Sequence, residues 1–75
     1  MTPYTQEQDV DYASVIGTCD TYSSQLDIEQ ACDGLPSCVG YTMDASTPKC
    51  LISSADWSEK QSTAGTDFYR KAGMT

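Results

Sequence analysis

Apolar and polar residues alternate most regularly from Cys38 to Asp44, CVGYTMD. A strand is expected there, with Val39, Tyr41 and Met43 on one face and Cys38, Gly40, Thr42 and Asp44 on the other. Ala45 to Pro48 reads as a turn, and Lys49 to Ser53, KCLIS, as the partner strand of a hairpin. Tyr12 to Ile16, YASVI, is β-prone and apolar enough for a buried strand, which Gly17 ends. Thr66 to Ala72, TDFYRKA, supplies a final strand carrying Phe68 and Tyr69. A different periodicity follows Ser24, whose hydroxyl can cap a helix by accepting an otherwise orphaned backbone N–H. Asp27 then falls at the third helical position, where a carboxylate suits the positive helix end. Leu26, Ile28, Ala31, Cys32 and Leu35 supply a broad apolar face, edged by Leu26, Glu29 and Gln30. Gly34, free to adopt a left-handed conformation, and Pro36 are the stop signal.

The remaining stretches are polar. Met1 to Asp11 is acidic and reads as a loose arm with a short edge strand near Tyr4, and Ala55 to Gly65 reads as a surface loop carrying Trp57. The order strand, helix, strand, strand, strand predicts one α+β domain over residues 1–75. In it one helix packs on a curved antiparallel sheet of about four to five strands.

Length sharpens this picture. A chain of 75 residues buries only about 60% of its unfolded surface, so its core is marginal without a covalent or metallic supplement. Cys19, Cys32, Cys38 and Cys50 are separated by twelve, five and eleven residues, and the chain has no histidine and no C-x-x-C. That spacing suits neither a zinc site nor a thioredoxin-like motif, and it favours two disulfides made in an oxidising compartment. Four cysteines allow three connectivities, and the residues alone choose none of them. A secreted or cell-surface setting follows, with the signal peptide lying outside this chain.

Net charge is −7, from eleven carboxylates against four basic residues. No basic patch exists to displace counterions from phosphate, so nucleic acid is not an expected partner, and anionic membranes are disfavoured likewise. No apolar run is long enough to span a bilayer. Without histidine, the commonest base for a nucleophile is absent, and no glycine-rich phosphate loop occurs. The expected protein is therefore no enzyme and holds no cofactor. Glu7, Asp9 and Asp11 alternate, which suits calcium's taste for oxygen, but they lack the glycine and distal glutamate of an EF-hand loop. The plainer reading is a solvated acidic arm. There is no asparagine to carry an N-linked glycan.

Three of the cysteines sit in ACDGLPSCVGYTMDASTPKCLIS, where a helix cysteine precedes a Pro-containing loop, a C-x-G-Y-T strand and a later cysteine beside leucine. This arrangement, with GTDFYRKAG near the end, resembles the PAN/apple module over Cys19 to Ala72. The resemblance implies one helix cradled by a curved antiparallel sheet of about five strands. It also implies that Cys32 bonds Cys38 and that Cys50 ties the sheet to the helix side. The family places the partner of that cysteine one helical turn before Cys32, where this chain has Ile28. Carried over with that departure, the family pattern gives Cys19–Cys50. The terminal cysteine pair of true apple domains is missing, so the looser PAN grouping fits better.

The family's role as a recognition unit for proteins or carbohydrates is what the resemblance implies for function. The alternative is a building block of an extracellular coat or filament, joined through edge strands at Thr66 to Ala72 or near Tyr4. Candidate contact residues are Trp57, Tyr22 and Tyr4, whose rings offer large contact area at small entropy cost, together with Arg70. Tyr41 and Phe68 are expected in the core. Arg70 and Lys71 are neighbours on one strand and are expected to face opposite sides.

Overall fold

The computed structural model describes residues 4–54 and 56–72, with the backbone but not the side chain of Trp57. Seven strands and one helix follow in the order β1 (Tyr4–Glu7), β2 (Val10–Tyr12), β3 (Ser14–Ile16), α1 (Gln25–Asp33), β4 (Gly40–Asp44), β5 (Thr47–Ser54), β6 (Lys60–Ser62) and β7 (Thr66–Lys71). Five strands form one antiparallel sheet, β1-β7-β4-β5-β3, and β2 pairs with β6 in a separate ribbon. The expected α+β class, one helix on an antiparallel sheet, is what the chain adopts.

Two small cores lie on the two faces of the sheet. On the helix side Ile28 and Cys32 pack with Cys38, Tyr41, Met43 and Leu51. On the far side Val10 and Tyr12 of the ribbon pack with Cys50, Ile52 and Phe68. Both sides of β4 and β5 are thus buried. That explains why CLI in β5 reads as a continuous apolar run and not as an alternation.

The hairpin departs from regular pairing where its two halves meet. Tyr41 faces Leu51 while Met43 faces Pro48, so the register slips between them and β5 carries an extra residue. Thr42, fully buried, serves this bulge. Its hydroxyl accepts the Cys50 N–H at 3.1 Å and donates to the Cys50 carbonyl at 3.4 Å. Gly40 is required by close packing, since a Cβ there would meet the Tyr69 carbonyl oxygen and lie 2.5 Å from Phe68 Cζ.

Both disulfides are formed, Cys32–Cys38 and Cys19–Cys50, spanning 6 and 31 residues. Ser24 caps α1 by accepting the Asp27 N–H at 3.2 Å, and the Ser23 N–H and hydroxyl both reach the Asp27 carboxylate at 3.3 Å. At the other end Lys71 Nζ donates to the Cys32 and Leu35 carbonyls at 2.9 and 3.4 Å. That cation suits the negative helix end, whose last turn has no basic residue of its own. Arg70 points to the opposite core, as alternation along a strand requires.

Several expectations are corrected. YASVI is two strands, because Tyr12 turns into the ribbon while Ser14–Ile16 joins the main sheet. The stretch read as a loose arm is ordered from Tyr4, and Tyr4 lies in an edge strand as expected. Gly34 is right-handed (φ −78°), so the helix ends through Pro36 and the short disulfide loop and not through a left-handed cap. Leu26 and Leu35 lie outside the apolar face, 56% and 37% exposed. Val39 precedes β4 and packs on the far core, away from Tyr41 and Met43. The segment 55–65, read as a loop, contains a short 3-10 turn (Trp57–Glu59) and β6, which exists because β2 supplies its partner. The last strand is no edge: β7 is flanked by β1 and β4.

The β4–β5 turn is shorter than Ala45 to Pro48. Asp44 pairs with Thr47, and both central residues, Ala45 and Ser46, have positive φ (48° and 72°). Such a turn matches the twist of a hairpin but prefers Asn-Gly, because a Cβ is crowded in the left-handed region. Ser46→Gly is therefore expected to raise stability by about 0.5–1 kcal/mol, seen as a rise of roughly 3–6 °C in the thermal midpoint.

Candidate functional site

Three tyrosines gather where α1, β1, β4 and β7 meet. Tyr41 lies flat against Tyr69, with ring centroids 5.1 Å apart and planes 6° apart, and Tyr4 meets Tyr41 edge-on at 4.9 Å. Register explains the group. Tyr41 and Tyr69 are directly paired across β4 and β7, and Tyr4 pairs with Lys71 on the same face. Two of the hydroxyls, those of Tyr4 and Tyr41, are fixed from the helix. Tyr41 donates to Glu29 Oε2 at 3.0 Å and accepts from Gln25 Nε2 at 3.1 Å, while Tyr4 donates to Asp33 Oδ1 at 2.7 Å. Tyr41 is fully buried, whereas Tyr4 and Tyr69 are half-buried and reach the surface. Leu26, Glu29 and Asp33 occur at i, i+3 and i+7, one stripe of the helix, so the exposed leucine lies in line with the two carboxylates.

The sequence candidates do not converge on one place. Tyr4 belongs to this cluster, and Tyr22 is half-buried against the same core just before α1. Trp57 carries the candidate side chain that lies outside the described residues. Arg70 sits on the far side and is internally engaged. Its Nε donates to Glu7 Oε2 at 2.6 Å and its guanidinium to the Tyr12 hydroxyl at 3.1 Å, and its Cζ lies 5.4 Å from the Phe68 ring centre. The hydrogen bond to Glu7 raises the pKa of Arg70 further above its usual range. Tyr41 and Phe68, expected in the core, are both fully buried.

The alternating carboxylates have separate tasks. Glu7 pairs with Arg70, Asp9 accepts the Gly65 N–H at 3.1 Å, and Asp11 accepts the N–H of its neighbour Tyr12 at 2.8 Å. Among the described residues no group of three or more side chains is placed to hold a metal ion, and no helix is long and apolar enough to cross a membrane. Glu29, Asp33 and Tyr69 were not singled out by sequence reasoning. The helical spacing of Leu26, Glu29 and Asp33 was the available signal, but an exposed leucine beside acids reads as the rim of a core face. Comparison with protein-family models, with curated proteins and with solved structures finds no match.

The tyrosine cluster sets two helix carboxylates against phenol hydroxyls. Burial raises the pKa of Tyr4, helped by its bond to Asp33 and the charge of Glu29. Burial also raises that of Tyr41, with Glu29 adding to the rise and Gln25 opposing it. A folded-state pKa above the unfolded value of about 10 stabilises the fold fully below that pH, and the contribution is lost as pH rises through the folded values. Denaturation midpoints are thus expected to fall from about pH 10 upward, more shallowly in Tyr41→Phe, which also loses about 1 kcal/mol at neutral pH with its hydrogen bonds. Titration of Tyr4 and Tyr41 near their ordinary value with the fold intact, followed by phenolate absorbance, would contradict this.

Proposed function

We propose that this chain is a non-catalytic recognition module of the PAN/apple kind, working in an extracellular or cell-surface setting on a protein or carbohydrate ligand. The observation that carries the reading is the tyrosine cluster, with Tyr4 and Tyr69 half-buried and the Tyr4 and Tyr41 hydroxyls fixed by helix carboxylates, on a domain cross-linked by two disulfides. Rigid aromatic side chains lose little entropy on binding, and a stapled scaffold holds them in place without a large core. The disulfide between the helix and the loop after it, and the second one from the K-C-L strand, support the family likeness. Two disulfides in so small a domain suit an oxidising compartment. Against catalysis stands the lack of histidine, with every carboxylate of the alternating set engaged in turns or pairing.

A coat or filament building block is the second reading, and one observation favours it: β1 and β3 are edges at opposite ends of the sheet. A net charge of −7 works against identical copies meeting. A glycan array and a pull-down from extracellular material, run beside light scattering, separate the two. The recognition reading expects a captured ligand and a monomer of 8.1 kDa. Blank ligand screens with mass growing as concentration rises would overturn it in favour of self-assembly.

A further inference from the structure

Beyond ligand recognition, we infer that the cluster of Tyr4, Tyr41 and Tyr69 is a one-electron oxidation site. An oxidant of the class that attacks phenols, such as the oxidised haem of a peroxidase, draws an electron through the half-buried Tyr69 or Tyr4 ring. The oxidised chain then couples at one of those two rings to a second phenol.

Proton, charge and route all favour this. Loss of an electron makes a phenol hydroxyl strongly acidic, so the step is easy only where a base already holds that proton. The Tyr41 hydroxyl donates to Glu29 Oε2 at 3.0 Å, within the reach a base needs, and Tyr4 donates to Asp33 Oδ1 at 2.7 Å. At Tyr41, phenol and carboxylate become phenoxyl radical and carboxylic acid, while the oxidant gains the electron. No charge is created in the core, and the half-buried Glu29 loses one, which burial favours. Tyr41 is fully buried, but it stacks on Tyr69 at 5.1 Å with planes 6° apart and meets Tyr4 at 4.9 Å. An electron crosses such ring contacts, so the oxidant need not reach Tyr41. When the radical passes to Tyr69, Tyr41 takes back an electron and recovers its proton from Glu29, and the Tyr69 hydroxyl gives its proton to water. Two phenoxyl radicals then join ring carbon to ring carbon, and the displaced hydrogens move to the oxygens and restore both hydroxyls.

Tyr12 supplies a contrast within the chain. Its hydroxyl also meets a carboxylate, Glu7 at 3.3 Å, but it accepts from the Arg70 guanidinium at 3.1 Å, and Glu7 is already paired with that cation. A positive charge beside the ring opposes loss of an electron. Burial, with the helix acids beside it, lifts the pKa of Tyr4 and Tyr41, so both phenols keep their protons until the electron leaves. All four cysteines are paired, so no thiol of the chain quenches the radical.

Two measurements on the disulfide-bonded full chain near neutral pH provide the test. One is stopped-flow oxidation by hexachloroiridate(IV), and the other is coupling of tyramine by a peroxidase with hydrogen peroxide, mapped by peptide mass spectrometry. Tyramine is expected on Tyr69 or Tyr4, and oxidation is expected to slow in heavy water. Glu29→Gln keeps an acceptor for the Tyr41 hydroxyl but cannot take its proton. In a Tyr4→Phe background, which isolates the Tyr41 pair, it should slow oxidation about tenfold. Tyr41→Phe should slow it as much, whereas Tyr22→Phe should leave it unchanged. A variant that fails to fold is recognised because its tyrosines label as evenly as those of the urea-unfolded parent, and the other slow variant then decides. Equal rates with and without the Glu29 carboxylate would overturn the site. So would tyramine carried by Trp57, Tyr12 or Tyr22 with the cluster unlabelled, and neither result bears on the ligand screens of the recognition reading.

Discussion

Covalent closure is the constraint on which this molecule depends. The helix that covers one face of the sheet has nine residues, and the ribbon covering the other has three-residue strands. Neither layer is stable by itself, since short helices and isolated two-stranded ribbons are marginal in water. Cys19–Cys50 ties the segment before α1 to the centre of β5, and the Asp20 N–H donates to the Lys49 carbonyl beside it at 2.8 Å. Cys32–Cys38 fastens the end of the helix to the start of β4. In the chain-entropy account the first, spanning 31 residues, contributes about 3.5–4 kcal/mol, and the second, spanning 6, about 2 kcal/mol. Stability of a small domain is itself only about 5 kcal/mol or a little more, so the cross-links decide whether the sheet persists.

The tyrosine surface follows from that closure. With α1 held over β4 and β5, Glu29 and Asp33 come within reach of two phenols on different strands. Such bonds orient the rings and at the same time keep two carboxylates near the surface. The far side of the sheet uses its polar groups differently. There Glu7, Arg70 and Tyr12 form an internal network over Phe68, with the arginine side chain 30% exposed. One face thus ties phenol hydroxyls to helix carboxylates, and the other pairs a carboxylate with an arginine.

Legibility from sequence followed the range of the interactions. The helix start at Ser24, the strand through Tyr41 and Met43, and Phe68 in the core were all readable, because capping and alternation are local signals. The pairing of β2 with β6 was not, since Lys60, Gln61 and Ser62 are polar and exposed and become a strand only because Val10–Tyr12 lies beside them. Val39 misled for a related reason: alternation predicts faces only inside a strand, and the sheet begins one residue later. Of the site, Tyr4 was legible as an exposed aromatic near an edge. Tyr69 was passed over because its neighbour Phe68 takes the core position that the pair advertises. The engagement of Arg70 with Glu7 was not legible, because the two lie 63 positions apart in the chain.

The claim that cross-linking holds this fold is tested most directly by urea unfolding of Cys19→Ala/Cys50→Ala beside the parent and Cys32→Ala/Cys38→Ala. The account predicts a loss of about 3–4 kcal/mol for the long-range pair, leaving the chain largely unfolded or marginally folded at 25 °C, and a smaller loss near 2 kcal/mol for the short one. A Cys19→Ala/Cys50→Ala protein with the parent's midpoint and slope would contradict it.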